Sequence, residues 1–380
     1  MLPFRVKQDN KFLDGVNYRL HYGFDFGENK ALPGLGLHDE RRVELFREDL
    51  TRLTECGIHS IRMNIFSDGR SGIVFDGTGG AAGVQACVIE GLLGVLRAAE
   101  ENNVAVGFVM FDHKIAERAE WIDAAKPELG TKQGHSRLLL TAAGREEMIR
   151  NVYQPVLQQL GRSKPASLLS FELVNEPESL MQGLSPNPFM QRHLPRGEFE
   201  EFKTFMRSFR DLVHQETGAQ FTVGSLALKY ASLWLDVLDP DLDYLSVHYY
   251  GANGDPHYKA LYAENPGINP LKTAKGLQSR IPLVWGEYAA NGSSEFLNRE
   301  YPQSFLRTID FLEEALNNGA KGAYAWALRS GIGGWGDLFG PVPLETHKLF
   351  TATHASQIEF LGSRPPLLSD ATANHGERAG

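Results

Sequence analysis

Leu168-Leu169-Ser170-Phe171-Glu172-Leu173-Val174-Asn175-Glu176-Pro177 begins as an apolar strand and stops abruptly in an Asn-Glu pair and a proline. Proline lacks the N–H that a central ladder requires, so the strand ends here and Glu176 is left at its C-terminal tip. An unpaired carboxylate is costly to bury, so core packing gives no reason for it. A parallel α/β barrel does, because such barrels carry their reactive groups at strand tips. A second stretch, Ile281-Pro282-Leu283-Val284-Trp285-Gly286-Glu287-Tyr288, offers another carboxylate in the same position.

On either side of these stretches, strand-like runs alternate with helix-period runs from end to end. Strands are expected at 15–20, 58–66, 104–111, 168–174, 220–225, 244–249, 281–287 and 322–326. Helices are expected near 39–56, 86–101, 144–160, 198–216, 230–237, 271–279, 301–317 and 345–361. Eight strands alternating with helices predict a single-domain (β/α)8 TIM barrel over residues 1–362. Connections from helix to strand are terse, such as Gly57 and Asn102-Asn103. Those from strand to helix are long, notably 67–85, 112–143, 177–197, 249–270 and 327–344. Barrels build their clefts from that second set. The tail at 363–380 has no periodicity and is expected to be poorly ordered.

The bulk properties narrow the function. With 38 Lys+Arg against 47 Asp+Glu, the net charge is −9, which disfavours nucleic acid and anionic membranes as partners. The first fifteen residues contain no apolar leader segment, so a cytoplasmic location is expected; a secreted enzyme stripped of its signal fits the same features. Cys56 and Cys87 each fall in an expected helix and read as free core thiols rather than a disulfide or metal pair. Gly77-Thr78-Gly79-Gly80 lacks the Lys-Ser/Thr of a phosphate loop and reads as a turn.

Two carboxylates on opposing strand tips suit work on an acetal. In a retaining glycosidase, one carboxylic acid protonates the departing oxygen while the other attacks the anomeric carbon, with the pair about 5–5.5 Å apart. The first strand has no His-x-His pair and no His-Glu cluster has metal spacing, so neither a metal nor a cofactor is expected.

From Gly15 to about Trp326 the chain resembles the retaining glycoside hydrolases of clan A, and within them family 5 (cellulase/mannanase-like). The resemblance rests on residues met in order: Arg62 on the second strand, His113 after the third, Asn175-Glu176-Pro177 on the fourth, His248-Tyr249-Tyr250 on the sixth, Glu287 on the seventh and Trp326 on the eighth. It implies that Glu176 is the acid/base and Glu287 the nucleophile. It further implies that Asn175 binds the 2-hydroxyl, that Arg62 and Tyr250 hold Glu287 ionised, that His113 and His248 line the subsite, and that Trp326 floors it. Arg62 could also pair with Glu172 as an ordinary buried arginine. Trp121, Trp335, Phe339, Tyr249 and Tyr288 are further candidates for sugar platforms.

The function expected is hydrolysis of β-linked hexose oligo- or polysaccharides, glucan or mannan in type, by double displacement through a covalent glycosyl-enzyme. Alternatives are a transglycosylase using the same two glutamates and a non-catalytic sugar-binding protein on this scaffold. The partner expected is carbohydrate, and the sequence leaves the oligomeric state open.

Overall fold

The computed structural model describes residues 11–18, 26–28, 36–116, 135–182, 194–238, 242–249, 274–275, 277–278, 280–289, 308–326 and 344–358. Eight strands form the frame: β1 (Leu13–Asn17), β2 (Ser60–Ser67), β3 (Ala105–Asp112), β4 (Leu168–Asn175), β5 (Gln220–Ser225), β6 (Leu245–Tyr249), β7 (Leu283–Ala289) and β8 (Gly322–Trp326). They close into a barrel in sequence order, with every neighbouring pair parallel. β1 completes the ring by pairing with both β2 and β8: Val16 stands opposite Ile61 on one side and Ala325 on the other. The expected TIM barrel is therefore the observed one. The tail at 363–380 lies outside the described residues.

The main helices are α1 (Glu40–Glu55), α2 (Ala86–Glu101), α3 (Gln154–Ser163), α4 (Phe199–Thr217), α5 (Leu228–Leu238), α6 (Thr308–Asn317) and α7 (Leu344–Thr353). Asp39 caps α1 by accepting from the Arg41 amide at 3.0 Å, and the helix buries Phe46, Leu50 and Leu53 against the barrel. The single helix expected over 144–160 is instead a succession. A helix at Ala142–Glu147 passes into a π-helical turn at Met148–Tyr153 and then into α3. Pro155 sits in the first turn of α3. A proline there cannot donate to the preceding turn, and the wider π winding takes up the mismatch.

The connection after β2 also differs from a plain loop. It carries a small antiparallel hairpin, Ile73–Phe75 with Ala81–Val84, whose turn is the glycine run read from the sequence. The Asp76 carboxylate accepts from the amides of Thr78 and Gly80, both at 2.8 Å, while Gly79 takes a φ of 78°. Among the described residues no helix is long and apolar enough to cross a membrane.

Most of the apolar core lies between barrel and helices. Inside the barrel, a small plug of Leu13, Ala105, Leu169, Tyr244, Val284 and Tyr324 fills the N-terminal end. Above it the interior turns polar, with Ser60 bonded to the Tyr324 hydroxyl at 2.5 Å and Ser170 to the Tyr244 hydroxyl at 2.7 Å. The last helix is tied to the first strand: His347 Nδ1 lies 2.8 Å from the Asp14 carboxylate, and its Nε2 lies 3.3 Å from the Tyr288 hydroxyl. The Phe12 amide donates to the Gln357 carbonyl at 2.7 Å beside it.

Candidate active site

The register of several strand pairs shifts near the C-terminal ends of the strands: between Asn64 and Ser67, Glu172 and Asn175, Val247 and His248, and Ala323 and Ala325. Such bulges re-aim side chains. On β4 this matters directly. Strict alternation from Glu172 would send Asn175 away from the interior. Instead, Asn175 and Glu176 both face it, because the bulge is followed by a left-handed backbone at Glu176 (φ 52°, ψ 57°). A non-glycine residue there costs roughly 1–2 kcal/mol, a strain held in place by the Glu176 amide donating to the Gly224 carbonyl at 2.8 Å.

Arg62, from β2, is the hub. Its Nε and Nη2 donate to the two oxygens of Glu172, each at 2.8 Å, its Nη2 also to Asn175 Oδ1 at 2.7 Å, and its Nη1 to both Asn17 Oδ1 and Glu287 Oε1 at 2.8 Å. Those five contacts account for all five N–H groups of a guanidinium. The two alternative readings of Arg62, structural pairing with Glu172 and support of Glu287, coexist. Burial works against its charge, but Glu172 and Glu287 outweigh burial and keep the guanidinium ionised. A side chain at Gly224 would approach Glu172 Oε2 to 2.4 Å, so the pair needs a glycine at that point of β5.

Glu176 and Glu287 face each other above this hub. A carboxylate oxygen of each and a ring nitrogen of His248 lie within 4.8 Å of one another. His248 Nδ1 is 2.8 Å from Glu176 Oε1 and 3.5 Å from Glu287 Oε2. His113 approaches the other oxygen of Glu176, with Nδ1 at 3.3 Å, and also lies 3.0 Å from Asp112. Burial pushes His248 toward the neutral form. The Glu287 charge, with the hydrogen bond and charge of Glu176, pushes harder and holds its pKa above the usual value. All four side chains are at least nine-tenths buried. Three donors this close could in principle hold a cation, but Arg62 already supplies the positive charge on Glu287 at 2.8 Å.

Trp326 ends β8 and is buried, paired in register with Ala289 of β7. Tyr250, Trp121, Trp335 and Phe339 fall outside the described residues. Tyr249 and Tyr288 are not sugar platforms: both stack on Phe311 of α6, with centroids 5.4 and 4.3 Å apart, on the helix side of the barrel wall.

Two contributors were not anticipated. Asn17 on β1 aims Arg62 while its Nδ2 donates to the Gly286 carbonyl at 3.0 Å, tying the hub to the Glu287 strand. Glu178, two residues past Glu176, is fully buried. Its carboxylate accepts from Ser225 at 2.6 Å, from the Leu226 amide at 3.2 Å and from the Trp234 indole. Burial dominates its pKa and raises it, with the hydrogen bonds from Ser225 and Trp234 acting in the opposite sense. It clamps the turn bearing Glu176 to β5 and α5. Its only trace in the sequence is an acidic residue straight after the strand-ending proline.

No family model matches the chain. It is 25% identical over 187 residues to mannan endo-1,4-β-mannosidase of Mytilus edulis, an alignment spanning 48% of this chain and 45% of that protein, so under half the length of the curated relative is matched. Among solved structures, the β-mannanase of the blue mussel Mytilus edulis superposes with a TM-score of 0.63 and 19% identity, covering 92% of this chain and 94% of that one. The fold is that of the barrel β-mannanases. The β-1,4-mannanase of the sea hare Aplysia kurodai matches similarly, with a TM-score of 0.62, 16% identity and coverage of 92% and 95%. These matches share the barrel fold that the resemblance to family 5 glycosidases implies.

Proposed function

We propose that the chain is a retaining β-glycoside hydrolase acting on β-1,4-linked mannan-type saccharides, with Glu176 as acid/base and Glu287 as nucleophile. The observation that carries this reading is the facing pair of buried carboxylates, their oxygens within 4.8 Å, at the C-terminal mouth of a parallel barrel. The mannanase relatives support the substrate class.

The hydrogen bonds divide the work between the oxygens. Arg62 holds Glu287 Oε1 and keeps the carboxylate ionised for attack on the anomeric carbon. His248 holds Glu176 Oε1, and Oε2, with His113 Nδ1 3.3 Å away, delivers the proton to the glycosidic oxygen. As the bond from C1 to the leaving oxygen breaks, the bond from the Glu287 carboxylate to C1 forms. Water, deprotonated by Glu176, then releases the sugar with its original β configuration. Asn175 spends its carbonyl on Arg62, so its Nδ2 is the atom available to the 2-hydroxyl of the reacting sugar.

The test is hydrolysis of β-1,4-mannooligosaccharides and aryl β-mannosides, with the first-formed anomer read by NMR. Glu287→Ala should lose turnover and recover with azide as the α-glycosyl azide, whereas Glu176→Ala should give the β-azide on activated substrates. Identical azide anomers from both variants, or an α product from the wild type, would overturn the assignment.

A further inference from the structure

Away from the barrel mouth, one cluster has the composition of a metal-ligand set. Glu28, His38 and Cys87 each present a donor atom, and the three atoms lie within 4.8 Å of one another. They come from three separate segments: the connection following β1, the residue before the cap of α1, and the first turn of α2. His38 Nε2 already stands 3.8 Å from Glu28 Oε1. Bonds of about 2.0–2.3 Å in a tetrahedron put ligands roughly 3.3–3.8 Å apart, so the arrangement needs only a small contraction around an ion.

Two further observations favour a ligand over packing. The His38 ring packs against Gly36 on its Nδ1 side, where Nδ1 is buried with no hydrogen-bond partner among the described residues, and this seats the ring with Nε2 toward Glu28. Gln85, which precedes α2, holds the cluster together from behind: its Oε1 accepts from the Glu28 amide at 2.9 Å and lies 3.7 Å from Cys87 Sγ. The Glu28 segment is thus pinned against the thiol before any ion arrives. Packing alone does not account for the placement of Glu28, whose side chain is 68% exposed yet points its carboxylate toward a histidine and a thiol.

We propose that Glu28, His38 and Cys87 form a divalent-cation site outside the barrel mouth, and that zinc is the ion its chemistry suits. Magnesium and calcium take oxygen ligands, whereas one thiolate, one imidazole and one carboxylate together match zinc, with a water in the fourth position. The ion would clip the connection after β1 to the start of α2. Binding requires the thiolate, so one proton leaves Cys87 as the Zn–S bond forms and the metal keeps its oxidation state. None of the three ligands belongs to the set around Glu176 and Glu287, so glycosidase activity does not depend on the ion.

The experiment is titration of the full chain, stripped with chelator, with Co2+ as a spectroscopic stand-in and then with Zn2+. A near-ultraviolet thiolate-to-cobalt charge-transfer band saturating at one equivalent is expected, bleached by Zn2+, together with a melting temperature that rises with zinc. Cys87→Ser should abolish the band, and Cys56→Ser should keep it. His38→Ala should weaken affinity by at least the roughly 10–100-fold that loss of a mere supporting partner costs a metal site. Activity of Cys87→Ser should match the wild type. Absence of the band, its persistence in Cys87→Ser, or cobalt binding seen only as inhibition would each overturn the proposal.

Discussion

Truncating Glu172 to alanine tests whether the barrel interior is organised around Arg62. In the wild type both oxygens of Glu172 accept from the guanidinium at 2.8 Å, and the two side chains are only 4% and 5% exposed. Removing one partner of such a buried pair costs about 3–5 kcal/mol, chiefly because the other charge keeps its burial and loses its donors' targets. Two local features set the value within that range. Arg62 retains Asn17, Asn175 and Glu287, and a polar cavity of about 10 Å3 beside it, lined by Ser170, Tyr244 and Ser246 among others, is already the size of one water. With the void left by the carboxylate added, water can reach the orphaned Nε and Nη2, so the expected loss is near 3 kcal/mol. At roughly 2 °C per kcal/mol for a chain of this length, the melting temperature should fall by about 6 °C. The guanidinium should also swing toward Glu287, lowering kcat more than it changes KM. Thermal and urea melts with steady-state kinetics read both effects. A variant melting within about 2 °C of the wild type with unchanged kcat would refute the hub.

Because Glu176 occupies the left-handed region, Glu176→Gly should be more stable than Glu176→Ala by about 1 kcal/mol, the reverse of the usual order in a strand; equal melts would mean the backbone there is relaxed. His248 has a folded pKa above its unfolded value, so the stability it contributes is complete below about pH 6.5 and is lost as pH rises through the folded value. The gap between wild type and His248→Gln should therefore widen on acidification, and a gap that widens toward alkaline pH would contradict the carboxylate contacts. Glu178 is raised as well, so its contribution is present below about pH 4.3 and declines as pH climbs through its folded value. Glu178→Gln sets an amide N–H₂ against the Leu226 N–H, and should cost about 1–2 kcal/mol in acid, with the difference shrinking toward neutrality; a pH-independent difference would argue against a buried ionisable clamp.

The frame was legible because strands buried on both faces and amphipathic helices obey different periods, and the order of elements then leaves one closed topology. The two strand-tip glutamates, Glu176 and Glu287, were legible because a charged residue at the end of an apolar strand has no packing explanation. Asn17 was not, since an asparagine in a buried strand carries no mark of the arginine it will meet across the barrel. Nor was Asn175's inward turn, which depends on a bulge that period-two reasoning does not contain. Tyr249 and Tyr288 were over-read for a related reason: proximity to a long loop does not say which side of the barrel wall a ring occupies.

The contacts of β1 bear on how the molecule is made. This strand leaves the ribosome before the other seven, yet its partners include β8, more than three hundred residues later, and its Asp14 is matched by His347 and its flank by Gln357. Until those residues emerge, one edge of the growing sheet has nothing to pair with and a buried aspartate has no counterpart. The barrel therefore cannot be finished stave by stave during synthesis. Its closure is a late event of high sequence separation, and the open edge before it is a place where nascent chains can pair with one another. A chain halted before α7 should hold most of its helices and remain unsealed, a vulnerability that belongs to biogenesis rather than to the finished barrel.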